Sequence, residues 1–195
     1  MTTAFKDKIL QMHNAIRSKG ALGLSGNSGL PKSSRSATVV WDDGLAVQAS
    51  HMSRTCEIYS QVCSNTADLS NVGILTTQLG GPAAQNKDYN AAIDDAMDTW
   101  SMGYLAVGGD EIDSYPGYAS DPAYMQLVRG NVYKIGCAIH YGKKGSGPAL
   151  YTVCNYSSAN VVGEPVYSKG PTASACKTGT NPNYPGLCSV NEIFK

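Results

Sequence analysis

The chain has 195 residues, enough for one domain with a sizeable core, and its 15 Lys and Arg balance its 15 Asp and Glu. With no net charge and only 15% charged residues, it has no global field to steer it toward nucleic acid or an anionic membrane surface. No apolar run approaches the roughly 20 residues that cross a bilayer, and the opening Met1-Thr2-Thr3-Ala4-Phe5-Lys6 lacks the hydrophobic segment of a signal peptide.

The six cysteines, Cys56, Cys63, Cys137, Cys154, Cys176 and Cys188, could be reduced core thiols, zinc ligands or disulfides. No Cys-x-x-Cys pair occurs among them, so the spacing disfavours a zinc knuckle and puts disulfides first. Disulfides imply an oxidising compartment, hence a secreted, extracellular chain, with Met1 reading as a start added ahead of a mature sequence.

Phe5, Ile9, Met12 and Ile16 recur at helical spacing, with Thr2 or Thr3 as N-cap and Gly20 as the stop. Residues 20–38 are rich in Gly and Ser and read as a surface loop. After Trp41, Asp42 or Asp43 caps a second helix whose stripe is Leu45, Ala49, Met52 and Cys56. Residues 89–104 form a third, with Ile93, Met97 and Trp100 on one face, ending near Gly103. Residues 106–122, with Asp110, Glu111, Asp113 and several Gly and Pro, read as a solvated loop rather than an acidic binding site.

From Val132 the pattern alternates, with Tyr133, Ile135, Cys137 and Ile139 on one face, and after Lys144-Gly145-Ser146-Gly147 a second run puts Leu150, Thr152, Cys154 and Tyr156 together. A hairpin closing at Gly145-Ser146 sets Cys137 opposite Cys154, a natural site for a cross-strand disulfide. The tail from Gly170 is too short for its own core, so Cys176 and Cys188 most simply clip each other, leaving Cys56 with Cys63. Asn155-Tyr156-Ser157 is a sequon, making Asn155 a candidate N-glycosylation site on the face away from the disulfide.

These pieces resemble, in order, the CAP superfamily of cysteine-rich secretory, antigen 5 and pathogenesis-related 1 proteins. His13-Asn14-x-x-Arg17 is similar to the first-helix motif, and Trp41-Asp42 with Leu45, Ala46 and Ala49 to the second helix. Ala123-Tyr124-Met125-Gln126-Leu127-Val128-Arg129, with Ile135-Gly136-Cys137, resembles the first signature; Val153 to Asn160 resembles the second without its Pro and Gly. The cysteine tail looks like that of the activation-associated, Ancylostoma-secreted or venom-allergen-like proteins of nematodes. The resemblance implies an α+β fold, a three-layer α-β-α sandwich with a small antiparallel sheet between helices, organised as a CAP domain over 1–165 and a disulfide-clipped extension over 166–195.

The family cleft usually carries two His and two Glu, a set able to bind a divalent metal. Here the four positions fall on Ser60, Asn71, Gly103 and Ala123, and the signature Trp is Arg129. The three histidines, His13, His51 and His140, share no metal-binding spacing, and no Gly-x-Ser-x-Gly elbow supports a serine hydrolase. The expectation is therefore a secreted, non-enzymatic protein with no cofactor and no metal, meeting an unknown host protein or cell-surface receptor through its loops. Arg129-Gly130-Asn131 lacks the acid of an adhesion tripeptide. The alternative is a lipid or sterol carrier, with Tyr89, Trp100 and Tyr104 as candidates to line an apolar groove.

Overall fold

The structure, a computed structural model, describes residues 1–24, 29–56, 64–145 and 147–194. In chain order it runs α1 (Thr3–Ala21), β1 (Ser33–Arg35), β2 (Val40–Trp41), α2 (Asp43–Ser53), β3 (Gly73–Leu79), α3 (Gly81–Gln85), α4 (Tyr89–Ser101), a 3-10 turn (Met102–Leu105), α5 (Gly109–Asp113), α6 (Pro122–Val128), β4 (Lys134–Lys144), β5 (Gly147–Tyr156) and β6 (Ser168–Lys169). A four-stranded sheet in the order β2-β4-β5-β3 forms the middle layer, and β1 pairs with β6 in a separate ribbon.

One face of the sheet carries the larger core. There Ile135, Cys137, Cys154 and Tyr156 meet Ile9 of α1, Ile93, Met97 and Trp100 of α4, and Leu127 of α6. On the other face Ala49 and Met52 of α2 pack on Val153 and Ala138. Helices on both faces of one sheet make the expected three layers of an α+β sandwich.

Local chemistry accounts for the helix starts. The Thr2 hydroxyl accepts the Phe5 N–H, and the Asp42 carboxylate accepts the Leu45 N–H at 2.9 Å, satisfying orphan donors of α1 and α2. Gly20 does not stop α1, which runs through it to Ala21. A β-carbon there would lie 3.0 Å from Val128 Cγ1, so Gly20 instead lets α6 approach α1 closely. Gly136 does the same on the opposite face, where the α2 backbone rests directly on β4.

The hairpin has the expected register: Cys137 pairs with Cys154, and Lys144 with Gly147. Cys137–Cys154 is a disulfide with the Cα atoms 4.1 Å apart. A second disulfide joins Cys176 to Cys188. The third expected bridge falls outside the described residues, since Cys63 is not described; Cys56 is a free thiol beside Gly142.

Residues 166–194 are tied to the body rather than trailing from it. The Thr38 hydroxyl donates to the Cys188 carbonyl at 2.6 Å, Arg35 pairs with the buried Glu192 at 2.6 Å, and Val166 and Tyr167 join a buried cluster with Tyr124 and Met125. Burial pushes the Glu192 carboxyl up, but hydrogen bonds from Arg35, Thr178 and Lys177 outweigh it and hold the group down to about 2.

The motif His13-Asn14-x-x-Arg17 is a clamp inside this core. Arg17, 2% exposed, donates to the carbonyls of Ala37, Leu127, Arg129, Gly130 and Val132. Asn14 exchanges two hydrogen bonds with the Val39 backbone, at 3.1 and 2.9 Å. His13 Nδ1 donates to the Ile9 carbonyl at 2.8 Å, which leaves Nε2 of the neutral ring to accept the Tyr156 hydroxyl at 2.9 Å. Burial is the main reason that His13 is lowered to about 4, so it is neutral at physiological pH.

Candidate functional site

Of the expected cleft positions, Ala123 lies on α6 and Gly103 beside its start, Asn71 lies just before β3, and Ser60 lies outside the described residues. Ala123 is half-buried on α6 itself. Gly103, buried in the 3-10 turn after α4, faces the start of α6, where the Asp121 side chain fills the space a β-carbon on Gly103 would take. Asp121 is fixed there as the N-cap of α6, accepting the Tyr124 N–H at 2.7 Å. Asn71 is exposed, in a left-handed conformation at φ 58° that Asn tolerates well, and its carbonyl accepts the Ala159 N–H at 2.8 Å.

Gln126 of α6 ties that helix to the segment after β5, a role its sequence context does not announce. Its amide donates to the Ser158 carbonyl at 2.8 Å and accepts the Asn160 N–H at 3.2 Å. Gly73 makes room for it, since a β-carbon there would sit 2.6 Å from the Gln126 amide. Arg129, 3% exposed, bonds the Ser158 hydroxyl and the Glu164 carboxylate, at 3.2 and 2.9 Å.

The acidic stretch 106–122 is knitted to itself. Glu111 accepts the Gly108 N–H, the Ser120 N–H and the Ser120 hydroxyl at 3.0, 2.8 and 2.7 Å. Burial pushes its carboxyl up, but these bonds outweigh it and hold the group below its usual value. Among the described residues, no three His, Cys, Asp or Glu side chains gather closely enough to hold a metal ion.

The remaining candidates separate. His51 is exposed on α2, and His140 is half-buried on β4. Trp100 is core, 2% exposed, its indole donating to the Thr76 carbonyl at 3.3 Å; Tyr104 packs on Tyr124. Of the three proposed groove aromatics, Tyr89 lines an open groove. Asn155 is fully buried on the central strand β5, facing away from the disulfide as expected, but its amide donates to the Leu45 carbonyl of α2 at 3.3 Å. A glycan on that nitrogen would require α2 to leave the sheet, so the sequon is a core amide in the folded chain.

The groove that Tyr89 enters has a volume of about 800 Å³. Phe5 and Lys6 of α1 and Trp41 form one side, Val47 of α2 and its C-cap Arg54 the other, with Cys137 to His140 of β4 as its floor. Its one carboxylate, Asp43, accepts from Lys6 at 2.8 Å and from the Trp41 indole at 2.9 Å.

Comparison with known proteins agrees with this architecture. The chain is 34% identical to "Venom allergen-1" of Aedes aegypti over 197 residues, covering 98% of this chain and 75% of the mosquito protein. It is 32% identical to "Scoloptoxin SSD43" of Scolopendra dehaani, covering 94% and 83% respectively. Its fold matches the crystal structure of NaASP2 with Zn2+ at a TM-score of 0.80 and 24% identity, covering 97% of each chain. It also matches the structure of BmVAL-1 at a TM-score of 0.81 and 22% identity, covering 96% and 95%. The model of the cysteine-rich secretory protein family (CAP) matches residues 10–156, and the chain belongs to that family.

Proposed function

We propose that this chain is a secreted, non-enzymatic binding protein that acts on a host protein or cell-surface receptor, with the family's metal-binding cleft chemistry lost. The observation that carries this reading is the Gly103 position. Glycine offers no lone pair, and the Asp121 side chain fills the space in front of it. Ala123 likewise offers no donor, so neither position fits a divalent metal. Three titratable side chains with displaced pKa are engaged structurally: His13 in the core, and Glu111 and Glu192 in holding loops. The disulfides and the venom-allergen relatives support secretion, and no helix among the described residues is long and apolar enough to cross a membrane.

The competing reading is lipid or sterol carriage. The two are separated by incubating the purified chain with labelled sterol and fatty acid, with and without host-cell membranes. Saturable binding to cells without lipid uptake is the expected result, and saturable lipid binding without cell binding overturns the proposal.

A further inference from the structure

β4 runs along the floor of the groove, and past Ile135 no strand pairs with its outer edge among the described residues. In an antiparallel pair, residues alternate between turning their backbone groups toward the partner strand and away from it. Cys137 and Cys154, directly opposed at 4.1 Å between Cα atoms, have the spacing of a non-hydrogen-bonded pair. Cys137, Ile139 and Tyr141 therefore aim their N–H and C=O groups away from β5.

On that side β2 accompanies β4 only at Val40–Lys134 and Trp41–Ile135. The last bond is from the Asp42 N–H to the Ile135 carbonyl, at 2.8 Å, after which the chain turns into α2. Among the described residues, no group bonds the outward backbone of Cys137, Ile139 or Tyr141; the row ends at the Lys143 carbonyl, which accepts the Tyr151 hydroxyl at 3.2 Å.

We infer that this edge is a docking site for an extended, acidic peptide segment of a partner protein, added as a strand beside β4. An unpaired edge in a groove is a template for strand addition, in which the main chain supplies affinity and the walls supply selectivity. Cys137 is itself only 1% exposed, so the reachable part of the edge is Ile139 and Tyr141, and an acyl chain in the same place would cover their four outward backbone groups without satisfying them, at about 1–3 kcal/mol each.

The charge of the walls selects acidic side chains. Arg54 lines the groove, Lys87 lies 4.9 Å from the Tyr141 ring centre, and Asp43 is already engaged by Lys6. Among the described residues Arg54 makes no ion pair, so an incoming carboxylate meets a free cation.

The test uses the full chain and a fluorescein-labelled octapeptide alternating Glu and Val, with two counterparts: one with Lys in place of Glu, one N-methylated at alternate backbone nitrogens. Fluorescence anisotropy reads binding, and amide hydrogen exchange reads Ile139 and Tyr141. The acidic peptide is expected to bind saturably and slow exchange at both amides. The Lys peptide, the N-methylated peptide and the exposed Arg54→Glu variant should each weaken binding by about tenfold or more. Equal binding of the N-methylated peptide, unchanged exchange at Ile139 and Tyr141, or no binding of the acidic peptide near 1 mM would each overturn the inference. None of these results bears on the cell-binding assay, so this inference can fail while the wider binding function stands.

Discussion

The Asp121 side chain occupies the volume in which any side chain at Gly103 would have to begin. Two neighbouring positions are thereby coupled: the N-cap of α6 needs Asp121 where it is, and Asp121 needs residue 103 to be glycine. Introducing a glutamate at this position alone should therefore not create a metal site. Gly103→Glu is expected to cost about 2–4 kcal/mol from overpacking and a displaced cap. Gly103→Glu with Ala123→His should bind Zn2+ no better than the parent chain. Thermal melting and calorimetric zinc titration check the two parts; tight stoichiometric zinc binding by the double variant would show that the cleft needs only its ligands returned.

The buried His13 sets an acid limit. Its pKa is lowered from 6.5 to about 4, mainly by burial, so the unfolded chain takes up a proton that the folded chain refuses. Stability is thus fully present above pH 6.5 and falls as pH drops from 6.5 toward 4. The shift corresponds to roughly 3 kcal/mol. Depressed carboxylates such as Glu192 lose their contribution only below about 4.5. Chemical denaturation at pH 6.5 and 4.5 separates these: His13→Gln should flatten the loss in that window while leaving the loss below 4.5, and an unchanged slope would remove His13 as its cause.

Arg17 holds the β1–β2 connection, the end of α6 and the α6–β4 connection together through backbone carbonyls alone. Arg17→Met keeps the stem and removes every donor, leaving several buried carbonyls unpaired. The expected cost is about 4 kcal/mol or more. Arg17→Lys should recover little, since one ammonium cannot span the carbonyls of Ala37 and Val132 as the planar guanidinium does. Urea melts of the two variants would read this directly.

The hairpin was the most legible part of the chain, because its alternation and a single turn set one register, and the register set the disulfide. The helical stripes of α1, α2 and α4 were legible for the same reason: a period of 3.6 carries through. The strand β3 was not, since its residues are half-buried without alternation, and β2 is only two residues long. The groove was invisible because it depends on where β2 stops relative to β4, a tertiary fact. The burial of Asn155 was illegible for a related reason: periodicity tells which way the side chain points, but not that α2 covers that face.

Asn155 gives the last prediction. Expressed in a secreting eukaryotic host, the folded chain should carry no glycan on Asn155, because the amide is fully buried and bonded to the Leu45 carbonyl. Its Oδ1 is also buried with no hydrogen-bond partner, so the site tolerates a neutral acceptor but not an ion. Asn155→Asp places a charge between α2 and β5, beside the disulfide-bearing hairpin. It should destabilise by about 3 kcal/mol at neutral pH and less at acidic pH, where the carboxyl takes a proton and is again neutral. Intact mass checks the first claim and denaturation at two pH values the second; a glycosylated fraction that melts like the unmodified chain would show that α2 lifts from the sheet at little cost.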